Sequence, residues 1–120
     1  MEIDQILPKK SREGIKIIEK LLKTMHSDIK ELMNFENLEK KSTKIKDKSE
    51  RVIKIALHLQ STLDKKNGGE IAQNLQKLYQ HICFASMRAY ENHDFTYLAS
   101  AEKVCKEINE GWSKLLTAAA

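Results

Sequence analysis

Proline occurs once and glycine four times in the 120 residues, so chain breakers are scarce. No stretch alternates apolar and polar residues in the two-residue rhythm of a half-buried strand. Together these absences exclude a turn-rich β architecture and leave an all-helical domain as the expectation. No apolar run approaches the ~20 residues needed to cross a bilayer, so membrane insertion is not expected. Met1-Glu2-Ile3-Asp4-Gln5 lacks the basic start and apolar centre of a secretory signal, which predicts a cytoplasmic protein. The two cysteines, Cys83 and Cys105, lie in helical segments away from metal-like spacing and are expected as reduced core thiols. His26, His58, His81 and His93 are scattered without paired ligand spacing, and no phosphate-binding glycine loop is present. No metal site and no nucleotide-binding loop are therefore expected.

What is present is a globular balance of 41% hydrophobic and 32% charged residues with a net charge of +4, in a chain of single-domain size. The charge permits an acidic partner without requiring one. Apolar residues recur three and four apart in four segments. The first stripe is Ile15, Ile18, Leu22, Met25, Ile29 and Leu32. After a polar break at residues 34–37 the second is Leu38, Ile45, Val52, Ala56, Leu59 and Leu63. The third is Ile71, Leu75, Leu78, Ile82, Ala85 and Ala89. Behind Asp94, a good N-cap, the fourth is Leu98, Ala101, Cys105, Ile108, Trp112 and Leu115. Short breaks favour antiparallel neighbours, which predicts an up-down-up-down four-helix bundle over residues 15–120. Residues 1–14, marked off by Pro8 and Lys9-Lys10-Ser11, form an N-terminal arm or short extra helix. Trp112 is the largest anchor of this core, and its truncation to alanine would cost about 3–5 kcal/mol if buried.

The junction between the second and third stripes holds two glycines, Gly68 and Gly69. Gly68 suits the left-handed residue just past a helix C-terminus, Lys65 and Lys66 suit the negative helix end, and Glu70 suits the start of the next helix. The spacing predicts a tight reversal between two helices.

Some helices carry more apolar surface than one stripe needs. Ile53 and Leu57, Tyr79 and Cys83, and Val104 and Leu116 lie on second faces that either widen the core face or line a groove for a partner's amphipathic helix, with Ile53, Leu57, Tyr79, Cys83, Val104 and Ile108 as its candidate residues. A tyrosine among aliphatic residues suits such a groove. Ile3, Ile6 and Leu7 of the arm pack on the bundle edge or form a removable lid over that groove. The basic stripe Lys40, Lys44, Lys48 and Arg51 is interleaved with Glu39, Asp47 and Glu50 and has no stacking aromatics nearby. It reads as a solvated helix face rather than a nucleic-acid interface.

Ser61-Thr62-Leu63-Asp64, followed by Gly68-Gly69-Glu70-Ile71-Ala72, Asn74-Leu75 and Leu78-Tyr79, resembles the hallmark of the FliS family of flagellar export chaperones. There one helix ends S-T-L-D and the next begins G-G-E-I-A-x-N-L-x-x-L-Y. Trp112 also falls where the family has a tryptophan near the end of its last long helix. The likeness runs from about Ile17 to Leu116. Leu7-Pro8-Lys9-Lys10-Ser11 and Leu21-Leu22-Lys23-Thr24-Met25 depart from the family's tyrosine, T-A-S-P and L-Y-D-G-A stretches. The resemblance implies a helical bundle without catalysis or cofactor that binds the C-terminal segment of flagellin in the cytoplasm. It also implies contact with export-apparatus components or a co-chaperone. A FliS-like adaptor with another client has the same signature.

One enzymatic alternative rests on Arg88 and His93, whose spacing fits the R-x4-6-H pattern of helical HEPN ribonucleases. That pattern arises readily by chance, and Ala89 stands where most such enzymes have a polar residue. The simpler reading places both side chains near the negative end of the third helix.

Overall fold

The structure is a computed structural model. It describes residues 12–119, with side chains described from position 14 to position 112 apart from 65 and 67. Its described residues form four helices and no strand: α1 (Arg12–Met33), α2 (Thr43–Ser61), α3 (Lys65–Asn92) and α4 (Leu98–Ala119). Each helix packs on its neighbours in sequence, and α4 closes the ring against α1, so the expected four-helix bundle is what forms. α1 begins at Arg12, so residues 12–14 belong to the first helix rather than to an arm.

The core is built by the amphipathic stripes. Ile18, Leu22, Met25, Ile29 and Leu32 of α1 meet Ile45, Val52, Ala56 and Leu59 of α2, and Leu98, Ala101, Cys105, Ile108 and Trp112 of α4 complete the interior. Ser42 caps α2 by accepting a hydrogen bond from the Lys44 N–H. α2 ends at Ser61, where two hydroxyls satisfy its last carbonyls: Ser61 Oγ donates to His58 at 2.6 Å and Thr62 Oγ1 to Leu59 at 2.7 Å. Leu63 is then free to turn into the core.

The glycine junction reverses the chain, but not as the sequence predicted. The left-handed residue is Gly69, with φ 53° and ψ −135°, and Gly68 ends a single helical turn whose N–H donates to the Asp64 carbonyl. The long part of α3 follows this kink. Ala72, Tyr79 and Ile82 face the core, Leu75 and Leu78 are half-buried, and Ile71, expected inside, is exposed. Asp94 likewise caps a turn rather than α4 itself: its Oδ1 accepts from the Thr96 N–H, and α4 starts at Leu98.

A buried carboxylate joins α1 to α2. Asp28, 1% exposed, receives a fork from Arg51, with Nε to Oδ2 and Nη2 to Oδ1 both 2.6 Å, while Lys48 Nζ stands 3.3 Å from Oδ1 and 2.7 Å from Glu31. These partners hold the Lys48 and Arg51 side chains more firmly protonated, the hydrogen bond donated to Glu31 leading for lysine and that donated to Asp28 for arginine. Two of the four residues of the basic stripe, expected as a solvated face, are thus paired with α1 carboxylates, Lys48 partly buried and Arg51 still exposed.

Candidate partner-binding surface

α2 and α3 lie side by side, and their outward shoulders are apolar. Ile53, Leu57 and Gln60 follow one another at helical spacing on α2, as do Cys83, Met87 and Tyr90 on α3. The Gln60 amide stands 4.0 Å from Cys83 Sγ at one end of the seam. At the other, Ile53, Met87 and Tyr90 line a cleft of about 410 Å³ with Glu50, Lys54 and Glu91. Leu57 lies on α2 between these two contacts and is 55% exposed.

The apolar surface continues over α3. Phe84 and Met87, one turn apart, are 44% and 42% exposed. Phe84 meets Tyr97 edge-on at 4.9 Å, and the Arg88 guanidinium stands 6.0 Å from the Tyr97 ring centre. His81 stacks beside Phe84 and bonds Ser100 Oγ at 2.7 Å, tying the patch to α4. Leu57, Phe84, Met87 and Tyr97 are four of the seven large hydrophobic side chains exposed among the described residues. Exposed apolar side chains scattered singly are ordinary, whereas a contiguous set marks an interaction surface.

Of the six groove residues predicted from sequence, Ile53, Leu57 and Cys83 share the α2–α3 seam. Tyr79 and Ile108 are core residues, 4% and 6% exposed, and cannot meet a partner unless the bundle opens. Burial pushes the Tyr79 hydroxyl's pKa well up. Val104 is half-buried on α4, which packs on α1 and α3, so it is not brought beside Ile53 and Leu57. Ile3, Ile6 and Leu7, the suggested lid, lie outside the described residues. Sequence reasoning missed Phe84, Met87, Tyr90 and Tyr97. The available signal was a pair of large apolar residues, Phe84 and Met87, lying off the core stripe of α3.

Arg88 and His93 are occupied by different partners. Arg88 Nη2 pairs with Asp94 Oδ2 at 3.0 Å. His93, the residue after α3, has φ 52° and donates from Nε2 to the Glu36 carbonyl at 3.1 Å, clasping the α1–α2 loop. Both cysteines are free; burial raises the Cys83 thiol and pushes Cys105 up to about 12. Among the described residues no group of His, Cys, Asp and Glu has the arrangement of a metal site, and no helix is long and apolar enough to cross a membrane.

Residues 10–119 match the family model described as flagellar protein FliS. Among curated proteins, a flagellar secretion chaperone, FliSB of Pseudomonas aeruginosa, is 32% identical over 54 residues, which is 45% of this chain. The match spans 43% of that relative's length.

Proposed function

This chain belongs to the FliS family of flagellar proteins, and from that membership we propose that it is a cytoplasmic secretion chaperone for the C-terminal segment of flagellin. The observation that supports this reading is the set of exposed apolar side chains on this side of the bundle: Leu57 on α2, Phe84 and Met87 on α3, and Tyr97 just before α4. An unassembled flagellar subunit presents amphipathic helices whose apolar faces would find one another. The α2–α3 seam covers such a face and gives it up later. Ordering a flexible segment costs about 2–5 kcal/mol of the gross interaction energy, so a large covered surface coexists with moderate affinity and with release to the export apparatus. No reaction is required of the protein; its work is binding.

Co-expression with the organism's flagellin, with and without its C-terminal segment, tests the reading by co-purification. A complex lost on that truncation supports it, and a complex indifferent to the truncation refutes it. Leu57→Asp places a charge in the seam at an exposed position. It is expected to weaken the complex at least about tenfold while circular dichroism at 222 nm stays unchanged.

A further inference from the structure

The α2–α3 seam does not end at the cleft around Ile53. Tyr90 and Glu91 are shared with a second cleft of about 520 Å³, lined also by Lys40, Lys41, Ser42 and Lys46. The two clefts therefore form one groove whose ends differ in charge. One end has three lysines against a single carboxylate, Glu91; the other has Lys54 against Glu50 and Glu91. The lysine end is also the N-terminus of α2, whose first turn carries no acidic residue to offset its positive dipole. Among the described residues no ion pair engages Lys40, Lys41 or Lys46, in contrast to Lys48, which is held by Asp28 and Glu31. The Ser42 hydroxyl is taken by the α2 cap, so the lysines are what a ligand would meet there.

We propose that this groove binds an amphipathic helix in one direction only, its acidic C-terminal end at Lys40, Lys41 and Lys46 and its apolar stripe over Ile53, Met87 and Tyr90. The bound helix runs antiparallel to α2, so that its negative dipole end and its carboxylates face the positive end of α2. Apolar contact supplies affinity, and the charge asymmetry sets direction. The inference rests on the seam being the docking groove; it adds the polarity and charge of the occupant.

The probes are three fluorescein-labelled 18-residue helical peptides with one Leu/Ala stripe. The first ends in three C-terminal glutamates, the second carries those glutamates at its N-terminus, and the third has glutamines in their place. Fluorescence anisotropy against the full chain at low salt is expected to rank the C-terminal-glutamate peptide about tenfold tighter than either other, since each exposed charge pair adds modestly. Added salt should erase the gap. The variant Lys40→Glu/Lys41→Glu/Lys46→Glu should erase it as well, and Met87→Asp should weaken all three peptides. Equal affinities, preference for the N-terminal glutamates, indifference to the triple substitution, or no peptide binding would each overturn the proposal. A parallel measurement with the flagellin C-terminal segment separates the two readings. Binding of that segment unaffected by the lysine substitutions sinks the polarity and spares the client. Binding of the acidic peptide alone sinks the client and spares the polarity.

Discussion

Arg51→Met should destabilise the bundle by about 2–3 kcal/mol, through the carboxylate it leaves behind. Asp28 is 1% exposed and receives both of its short bonds, 2.6 Å each, from the Arg51 guanidinium. Breaking a fully buried pair from one side costs about 3–5 kcal/mol. Two features lower that figure here. The Arg51 side chain is 54% exposed, so its charge is partly screened, and Lys48 Nζ remains 3.3 Å from Oδ1 to share the load. Methionine keeps most of the aliphatic stem, so the loss is electrostatic rather than one of packing. For a domain of this size the change corresponds to a melting temperature roughly 6–12 °C lower. Urea unfolding followed by circular dichroism measures it directly. Asp28→Leu combined with Arg51→Met removes the stranded charge and should recover most of the loss, because a buried ion pair and a well-packed apolar pair are of similar worth. If Arg51→Met costs less than about 0.5 kcal/mol, or the double variant is no more stable than the single one, the fork does not hold α1 to α2 as described.

Gly69→Ala should cost about 1–3 kcal/mol, because φ 53° strains any L-residue even though no atom lies within 4 Å of the added Cβ. Gly111→Ala, in the regular part of α4 with equally open surroundings, should instead gain about 0.5–1 kcal/mol; urea unfolding of both variants reads the opposite signs, and a loss at Gly111 would count against the comparison. Bonds from Thr96 and Arg88 hold the Asp94 carboxyl down at about 2 from 3.8, so the native state takes up its proton later than the unfolded chain. Its stabilisation is therefore complete above about pH 4 and lost as the pH falls towards 2: wild type should exceed Asp94→Asn in stability at pH 6, with the gap closing by pH 2. With both thiols raised, Cys83 should react first with a thiol reagent at pH 8, and Cys105, at about 12, only on unfolding. The unfolded thiol ionises near 9 while the folded one stays protonated, so Cys105 draws stability down as pH rises from about 9 to 12. Equal reaction of the two cysteines in the native protein would overturn that order.

The α1 stripe shows how far pattern alone carries. Ile18, Leu22, Met25, Ile29 and Leu32 are all buried, because a helix with one apolar face has one way to hide it. The four segments, their breaks and the bundle follow from that rule, and the glycine-centred lettering after Ser61 carries the family. α3 shows where the rule stops. Leu78 and Tyr79 are both apolar neighbours about 100° apart around a helix, so periodicity admits either as the inward residue. Packing against the neighbouring helices decides the phase, with Ala72 and Tyr79 inward and Ile71 out. The predicted groove splits for a related reason. Ile53, Leu57, Cys83 and Val104 all stand beside a core stripe, but only the packing of α3 between α2 and α4 determines that the first three share a seam and the fourth does not. Lys48 and Arg51 look like their solvated neighbours in sequence until α1 brings Asp28 within their reach. Helical periodicity is a local property and was fixed by residue order. Which shoulder of a helix stays uncovered, and which charge finds a partner, depends on residues twenty or more positions away, and that was decided only when the four helices packed.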